Sequence, residues 1–309
     1  MQSISSLRAR GIVASLVGRL ASRMLLPVAL LTFATGCATA PDRDAIPAFR
    51  SGAATANQQL QTSFADINRF LRERQIDRAA SLQSLDEEAF FTPLAPEDVA
   101  KWSRAFGLID TYAATLEKIL DPARRDEAEK ALEELGNKIG EVRGEELPAG
   151  VAAGFTQLGG LLIQIKAERD ALAAIRQADP SIQGVFDTMM TAIGADPDNG
   201  VRGMVGTSWG DVLGKIQVEF LGANGAAARR DVAVRFAATL DQRDAQDADL
   251  ASLRRSLGLL ASAHRELAAG RESDARSLIA LIQDEYRVYR ERMEALRKSS
   301  EEKSKENTP

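Results

Sequence analysis

The chain has 309 residues, among them 39 Lys and Arg, 44 Asp and Glu, one His and one Cys. That length allows one or two domains with a sizeable core, and the acidic balance excludes a general nucleic-acid binder, whose affinity rests on clustered cations against phosphate. A single histidine also removes most metal sites and nucleophilic triads, because these pair His with Cys, Ser or carboxylates.

The chain opens with Arg8, Arg10, Arg19 and Arg23 and no acidic residue before position 37, and the stretch from Met24 to Thr35 carries no charge. A basic start, a short apolar run and small residues at its end mark a secretory leader. The run is shorter than the roughly 20 apolar residues that a membrane-spanning helix needs. It ends in Ala34-Thr35-Gly36-Cys37, which resembles the lipobox of bacterial lipoproteins. The resemblance implies a diacylglyceryl group on the Cys37 thiol, cleavage between Gly36 and Cys37, and N-acylation of the new terminus. Ala38, in place of the aspartate that retains such proteins in the inner membrane, implies an outer-membrane address. Lipidation would also use the one thiol, so no disulfide is available and stability must come from packing. Without the four leader arginines, 35 basic residues face 44 acidic ones.

After the leader, residues 37–57 are small and polar and are expected to form a tether. An N-terminal helical region follows over 58–199. Its apolar positions step by three and four: Leu60, Phe64, Ile67 and Leu71; then, after Pro93 and Pro96, Trp102, Phe106, Ile109, Ala113, Leu116 and Leu120; then Ala128, Leu132, Leu135, Ile139 and Val142. Such stripes are the core faces of amphipathic helices. Asp121-Pro122, Asp179-Pro180 and Asp196-Pro197 are expected to end one helix and begin the next. Residues 200–225 hold six glycines between Gly200 and Gly222, and Gly225. They predict an irregular interruption that divides the body into two lobes. Beyond it, over 226–297, Leu250, Leu253, Leu257, Leu260, His264 and Leu267 form one heptad seam. Ala275, Ile279, Ile282, Tyr286, Tyr289, Met293 and Leu296 form another, with a turn at Ala269-Gly270 between them. This pattern predicts an antiparallel helical hairpin. The tail, 298–309, is polar and expected to be disordered.

The fold class is therefore all-α: a multi-helix bundle with coiled-coil-like seams and a C-terminal hairpin. No constellation for catalysis stands out, so an enzyme is not expected, and no cofactor other than the lipid on Cys37. His264 reads as a partly exposed seam residue near a turn. Asp196, Asp198 and Asn199 lack the remaining ligands of a calcium loop, and the glycines near 200–214 lack the Gly-Lys-Ser/Thr of a phosphate loop. Gly206, Gly210 and Gly214, like Gly136, Gly140 and Gly144, are spaced so that another backbone could approach closely. Residues 147–165 are uncharged for 19 positions. Val151, Phe155, Leu158, Leu162 and Ile165 form either a core face or a membrane-contacting one.

The reading that follows is a cell-envelope lipoprotein anchored in the outer membrane, body in the periplasm, acting through helical surfaces on a protein partner. Two other readings stand beside it: a membrane-inserting protein that uses 147–165, and a peptidoglycan hydrolase with a single catalytic carboxylate. Oligomeric state is not legible.

Overall fold

The computed structural model describes residues 44–90, 92, 94–141, 147–148, 151–165 and 171–306. Among them are eight α-helices and no strand. The helices are α1 (Ala45–Leu82), α2 (Pro96–Leu120), α3 (Arg125–Glu141), α4 (Val151–Ile165), α5 (Ala171–Ile193), α6 (Gly200–Gly222), α7 (Ala226–Ala268) and α8 (Glu272–Glu306). The chain is an all-α bundle. Its core is continuous from Ala45 to Ile282, and residues 40–309 form one compact unit. The two lobes expected on either side of residue 200 are not found.

The stripes read from the sequence are the buried faces. Leu60, Phe64, Ile67 and Leu71 of α1 are buried, as are Trp102, Phe106, Ile109, Ala113 and Leu116 of α2. Leu250, Leu253, Leu257 and Leu260 of α7 are at most 1% exposed, and Ala275, Ile279, Ile282 and Tyr289 of α8 are buried in turn. The pairs Ser252–Glu285 and Asp249–Arg292 show that α7 and α8 run antiparallel around the turn at Ala269-Gly270. Helix α1 is also antiparallel to α7: Phe49 meets His264, and Gln59 meets Ser252. With 43 residues at about 1.5 Å each, α7 spans roughly 65 Å, and it packs against α1, α5, α6 and α8.

Five expectations are corrected. Helix α1 begins at Ala45, inside the expected tether, because Ile46, Phe49, Ala53 and Ala56 are apolar at helical spacing and fill the core. Pro180 does not break α5, which runs through it from Ala171 to Ile193. A proline there costs one helical hydrogen bond, and burial of Ala178, Ile182, Val185 and Phe186 on either side offsets it. The glycine-rich stretch is not an interruption but the 23-residue helix α6. Of its small residues, Gly210 and Gly214 have nothing within 4 Å of where a side chain would start, and neither has Gly140. Of the same two series, Gly206 does meet backbone, the Pro197 carbonyl, and the Gly136 carbonyl lies beside Gly159; helices approach closely at Gly154 and Gly159. Finally, the tail expected to be disordered is helical to Glu306.

The other two Asp-Pro pairs do punctuate. Asp121 accepts a hydrogen bond from the Ala123 N–H (3.1 Å), where a short 3₁₀ turn leads into α3. Asp196 accepts from the Asp198 N–H (3.0 Å) and from Asn199 Nδ2 (2.6 Å), just before α6. The α5–α6 connection is tight enough to need glycine at four positions, two of them, Gly203 and Gly206, because the backbone of Asp198 and Pro197 lies against them. Gly194 (φ +111°) and Gly200 (φ +60°) take left-handed conformations, and a Cβ on either would collide with backbone across the turn.

Candidate functional site: a polar spine along α7

Polar side chains of α7 reach every helix packed on it, and five of them, Thr239, Asp249, Ser252, Ser256 and His264, are buried. At one end His264 is fully buried, not partly exposed as its place near a turn suggested. Its Nδ1 lies 2.8 Å from Asp179 Oδ1 of α5, and its Nε2 lies 2.9 Å from the Tyr112 hydroxyl of α2. The Nδ1 proton serves the carboxylate. With that proton on Nδ1, Nε2 accepts from the Tyr112 O–H, and all three groups are satisfied. Gln183 completes the cluster. Its Nε2 donates to Asp179 Oδ1 and to the Ala261 carbonyl (2.8 Å each), and its Oε1 accepts from Arg265 (2.8 Å). Phe49 of α1 covers the imidazole edge-on, with ring centroids 5.7 Å apart.

Burial shifts these groups in a definite way. It pushes the Tyr112 hydroxyl well above its ordinary range, and the Asp179 charge adds to that. Burial pushes Asp179 up as well, but hydrogen bonds from His264 and Gln183, with the charges of His264 and Arg265, outweigh it and hold the carboxyl below its usual value.

Two turns along α7, Gln59 of α1 is fully buried between Ser252 and Ser256. It donates to Ser252 Oγ (3.2 Å) and accepts from Ser256 Oγ (3.0 Å). Ser252 in turn donates to Glu285 of α8 (2.8 Å), which also accepts from Arg255 (3.0 Å). Next comes Asp249, 4% exposed. Burial pushes its carboxyl up to about 7; the Arg292 guanidinium, 3.4 Å away, opposes the rise, and the charge of Asp66 adds to it. Last come Gln246, which accepts from Trp209 Nε1 (2.7 Å), and Asp247. Asp247 takes a two-pronged contact from Arg202 of α6 (2.8 and 2.7 Å). Trp209 also stacks on Phe70 of α1, with centroids 3.9 Å apart.

An open groove of about 440 Å³ lies between α6 and α7, beside Arg202, Trp209 and Asp247. His264 sits 17 residues further along α7, about 26 Å away by helix rise. The Asp179–His264–Tyr112 arrangement has the donor order of a proton relay. Its hydroxyl end is fully buried, however, and offers a substrate no approach. What the arrangement does do is fix register. Each rung is satisfied only when α1, α2, α5, α6 and α8 sit at one height against α7.

The site residues expected from sequence fall as follows. Gly36 and Cys37 lie outside the described residues. Val151, Phe155 and Leu158 are at most 1% exposed, so this face of α4 belongs to the core. Leu162 and Ile165 lie in α4, but their side chains are outside the described ones. Among the described residues no helix is long and apolar enough to cross a membrane, and no group of three or more His, Cys, Asp or Glu could hold a metal. Sequence reasoning did not single out the polar spine. Its signal was Asp249, Ser252 and Ser256 flanking the leucine seam at helical spacing.

Fold and spine together define an all-α bundle keyed to one central helix. Comparison with models of known families, with curated proteins and with solved structures finds no match.

Proposed function

We propose that the chain is an outer-membrane lipoprotein, held by lipid on Cys37, whose helical body serves as a non-enzymatic scaffold or adaptor for a protein partner in the cell envelope. The observation that carries the reading is the run from Met24 to Thr35 ending in Ala34-Thr35-Gly36-Cys37. The physical sense is additive: each buried CH₂ contributes about 0.8 kcal/mol, so two or three acyl chains hold a protein at a bilayer. The scaffold part is supported by the spine, where the most buried polar groups join helix to helix.

Labelled fatty acid should enter the wild-type protein and not Cys37→Ser, and inhibition of signal peptidase II should leave the larger precursor. A Cys37→Ser protein that still carries label and stays with the outer membrane would overturn the anchor. For the adaptor part, cross-linking in intact cells should yield a defined second protein, and recovery of the body alone under several cross-linkers would count against it.

A further inference from the structure

The exposed apolar residues are not spread evenly. Helices α6 and α7 form an antiparallel hairpin, fixed at one level by Trp209 with Gln246 and further out by the ion pair Arg235–Glu219. From Gln246 to the turn at Gly225 the hairpin extends 21 residues of α7, about 30 Å. The last buried residue of α6 is Ile216, and burial resumes on α7 only at Thr239. Between them Val232 and Phe236 of α7 are half-buried against the core, and the other large apolar side chains of the hairpin end face solvent. Leu221 is 80% exposed, Val218 69% and Val234 56%, with Phe220 at 39%. On a soluble surface such residues occur singly; a group of them around one turn marks a contact site.

The charges say what it contacts. From Lys215 to Arg235 there are four basic residues, Lys215, Arg229, Arg230 and Arg235, against Glu219 and Asp231, in a chain that is acidic overall. Arg229 Nε donates to the Ala223 carbonyl (3.2 Å), which holds that guanidinium beside the turn. An apolar tip with a collar of arginine and lysine complements a surface whose charge is negative and whose interior is hydrocarbon. It also contrasts with the uncharged segment of α4, whose Val151, Phe155 and Leu158 are used in the core.

We infer that the end of the α6–α7 hairpin, centred on Val218, Leu221, Arg229 and Arg230, is a docking tip for an anionic lipid surface. The side chains of Leu221 and Val218 enter the headgroup boundary while the arginines pair with lipid phosphates. The contact is separate from Cys37 and does not rest on its lipidation.

The test uses residues 37–309 carrying Cys37→Ser, which keeps the whole core (Ala45 to Tyr289) and cannot be acylated. The probe is vesicles of phosphatidylglycerol mixed with phosphatidylcholine, against vesicles of phosphatidylcholine alone. The protein should sediment with the anionic vesicles and at least about tenfold less with the neutral ones, and salt should weaken the binding. Val218→Glu with Leu221→Glu should cut the binding about tenfold, and Arg229→Glu with Arg230→Glu should remove the preference for anionic lipid. Leu281→Glu, on α8 and likewise open to solvent at 53%, should change nothing. Tip side chains are exposed, so circular dichroism should be the same for all of these. As an independent readout, Leu221→Trp should place an indole at the tip whose emission shifts to the blue on anionic vesicles and is quenched by brominated acyl chains. Equal binding to both vesicle types, unaltered binding by the tip variants, or an unshifted and unquenched emission from the new indole would overturn the inference. So would a cross-linked protein partner at the tip with no vesicle binding at all.

Discussion

Asp249→Asn should stabilise the protein, and more so as pH rises. Asp249 is 4% exposed, and its carboxyl is pushed up to about 7 by burial, against an ordinary value of 3.8. Between those values the folded state binds a proton that the unfolded state has released. Stability is therefore fully present below about pH 4 and falls as pH rises toward 7. A shift of about three units at 1.36 kcal/mol each corresponds to an upper bound of about 4 kcal/mol at pH 8. At pH 5 only about 1.5 kcal/mol of it has been lost, so the wild type should weaken by about 2.5 kcal/mol between pH 5 and 8. Asparagine keeps the size and has no charge to desolvate, and Arg292, which is 42% exposed, can turn to water. Asp179 and Glu285 have carboxyls held low, so their contributions are lost only below about pH 4.5 and stay constant in this window. Urea titration of the Cys37→Ser protein at pH 5, 6.5 and 8 measures the difference directly. With Asp249→Asn added, the protein should gain a few kcal/mol at pH 8, less at pH 5, and show a flatter pH dependence. A variant that keeps the wild-type slope, or that is weaker at pH 8, would refute the reasoning.

Three further outcomes follow from the same geometry. His264→Leu strands the buried Tyr112 hydroxyl and takes one of the hydrogen bonds of Asp179, and should cost about 3 kcal/mol in urea unfolding, while Tyr112→Phe should cost about 1 kcal/mol, since only one hydrogen bond goes. Gly154→Ala places a methyl 2.7 Å from Val185 Cγ2 and should destabilise by about 1–3 kcal/mol; Gly160→Ala meets nothing within 4 Å and should stabilise by about 0.5–1 kcal/mol, as read by thermal melting. On acidification below about pH 4, protonation of Asp179 should remove the stability that its lowered value supplies, and Asp179→Asn should abolish that part of the acid transition in a fluorescence titration.

The helices were legible because apolar residues at steps of three and four have one reason to exist, and the leucines of α7 with Ala275, Ile279 and Ile282 of α8 are as buried as that pattern requires. Punctuation was legible where a side chain could act locally: Asp121 and Asp196 each accept a hydrogen bond from an N–H two residues on. Pro180 misled because its penalty is local and the burial that offsets it is not. The glycines of α6 misled for a similar reason: Gly194 and Gly200 are required by the turn before and at the start of the helix, Gly203 and Gly206 by the backbone of Asp198 and Pro197 lying against them, and Gly210, Gly214 and Gly222 are tolerated within it. The partners of His264 were out of reach of any local pattern, because Tyr112 and Asp179 lie 152 and 85 residues away along the chain.

The spine and the hairpin tip meet on α7, and that placement limits what the tip can do. Residues 226–238 of α7 have no buried side chain, while from Asp249 onward the same helix is keyed to its neighbours at every rung. Helix α7 thus carries the tip on one half, with its other half fixed in the core. The Arg202–Asp247 fork and the Trp209–Gln246 bond tie α6 to α7 just inside the level of Ile216 and Thr239, where burial ends. Arg202→Met should loosen that junction without touching the tip. Hydrogen exchange over residues 210–245 should rise, since an exposed carboxylate and a lost fork no longer hold α6 to α7, while exchange around His264 should stay slow. Faster exchange at both places would mean that the bundle opens as one unit and that the junction is no hinge. Unchanged exchange at both would mean that the fork holds nothing that the apolar contacts of Val205, Val212 and Leu213 do not already hold.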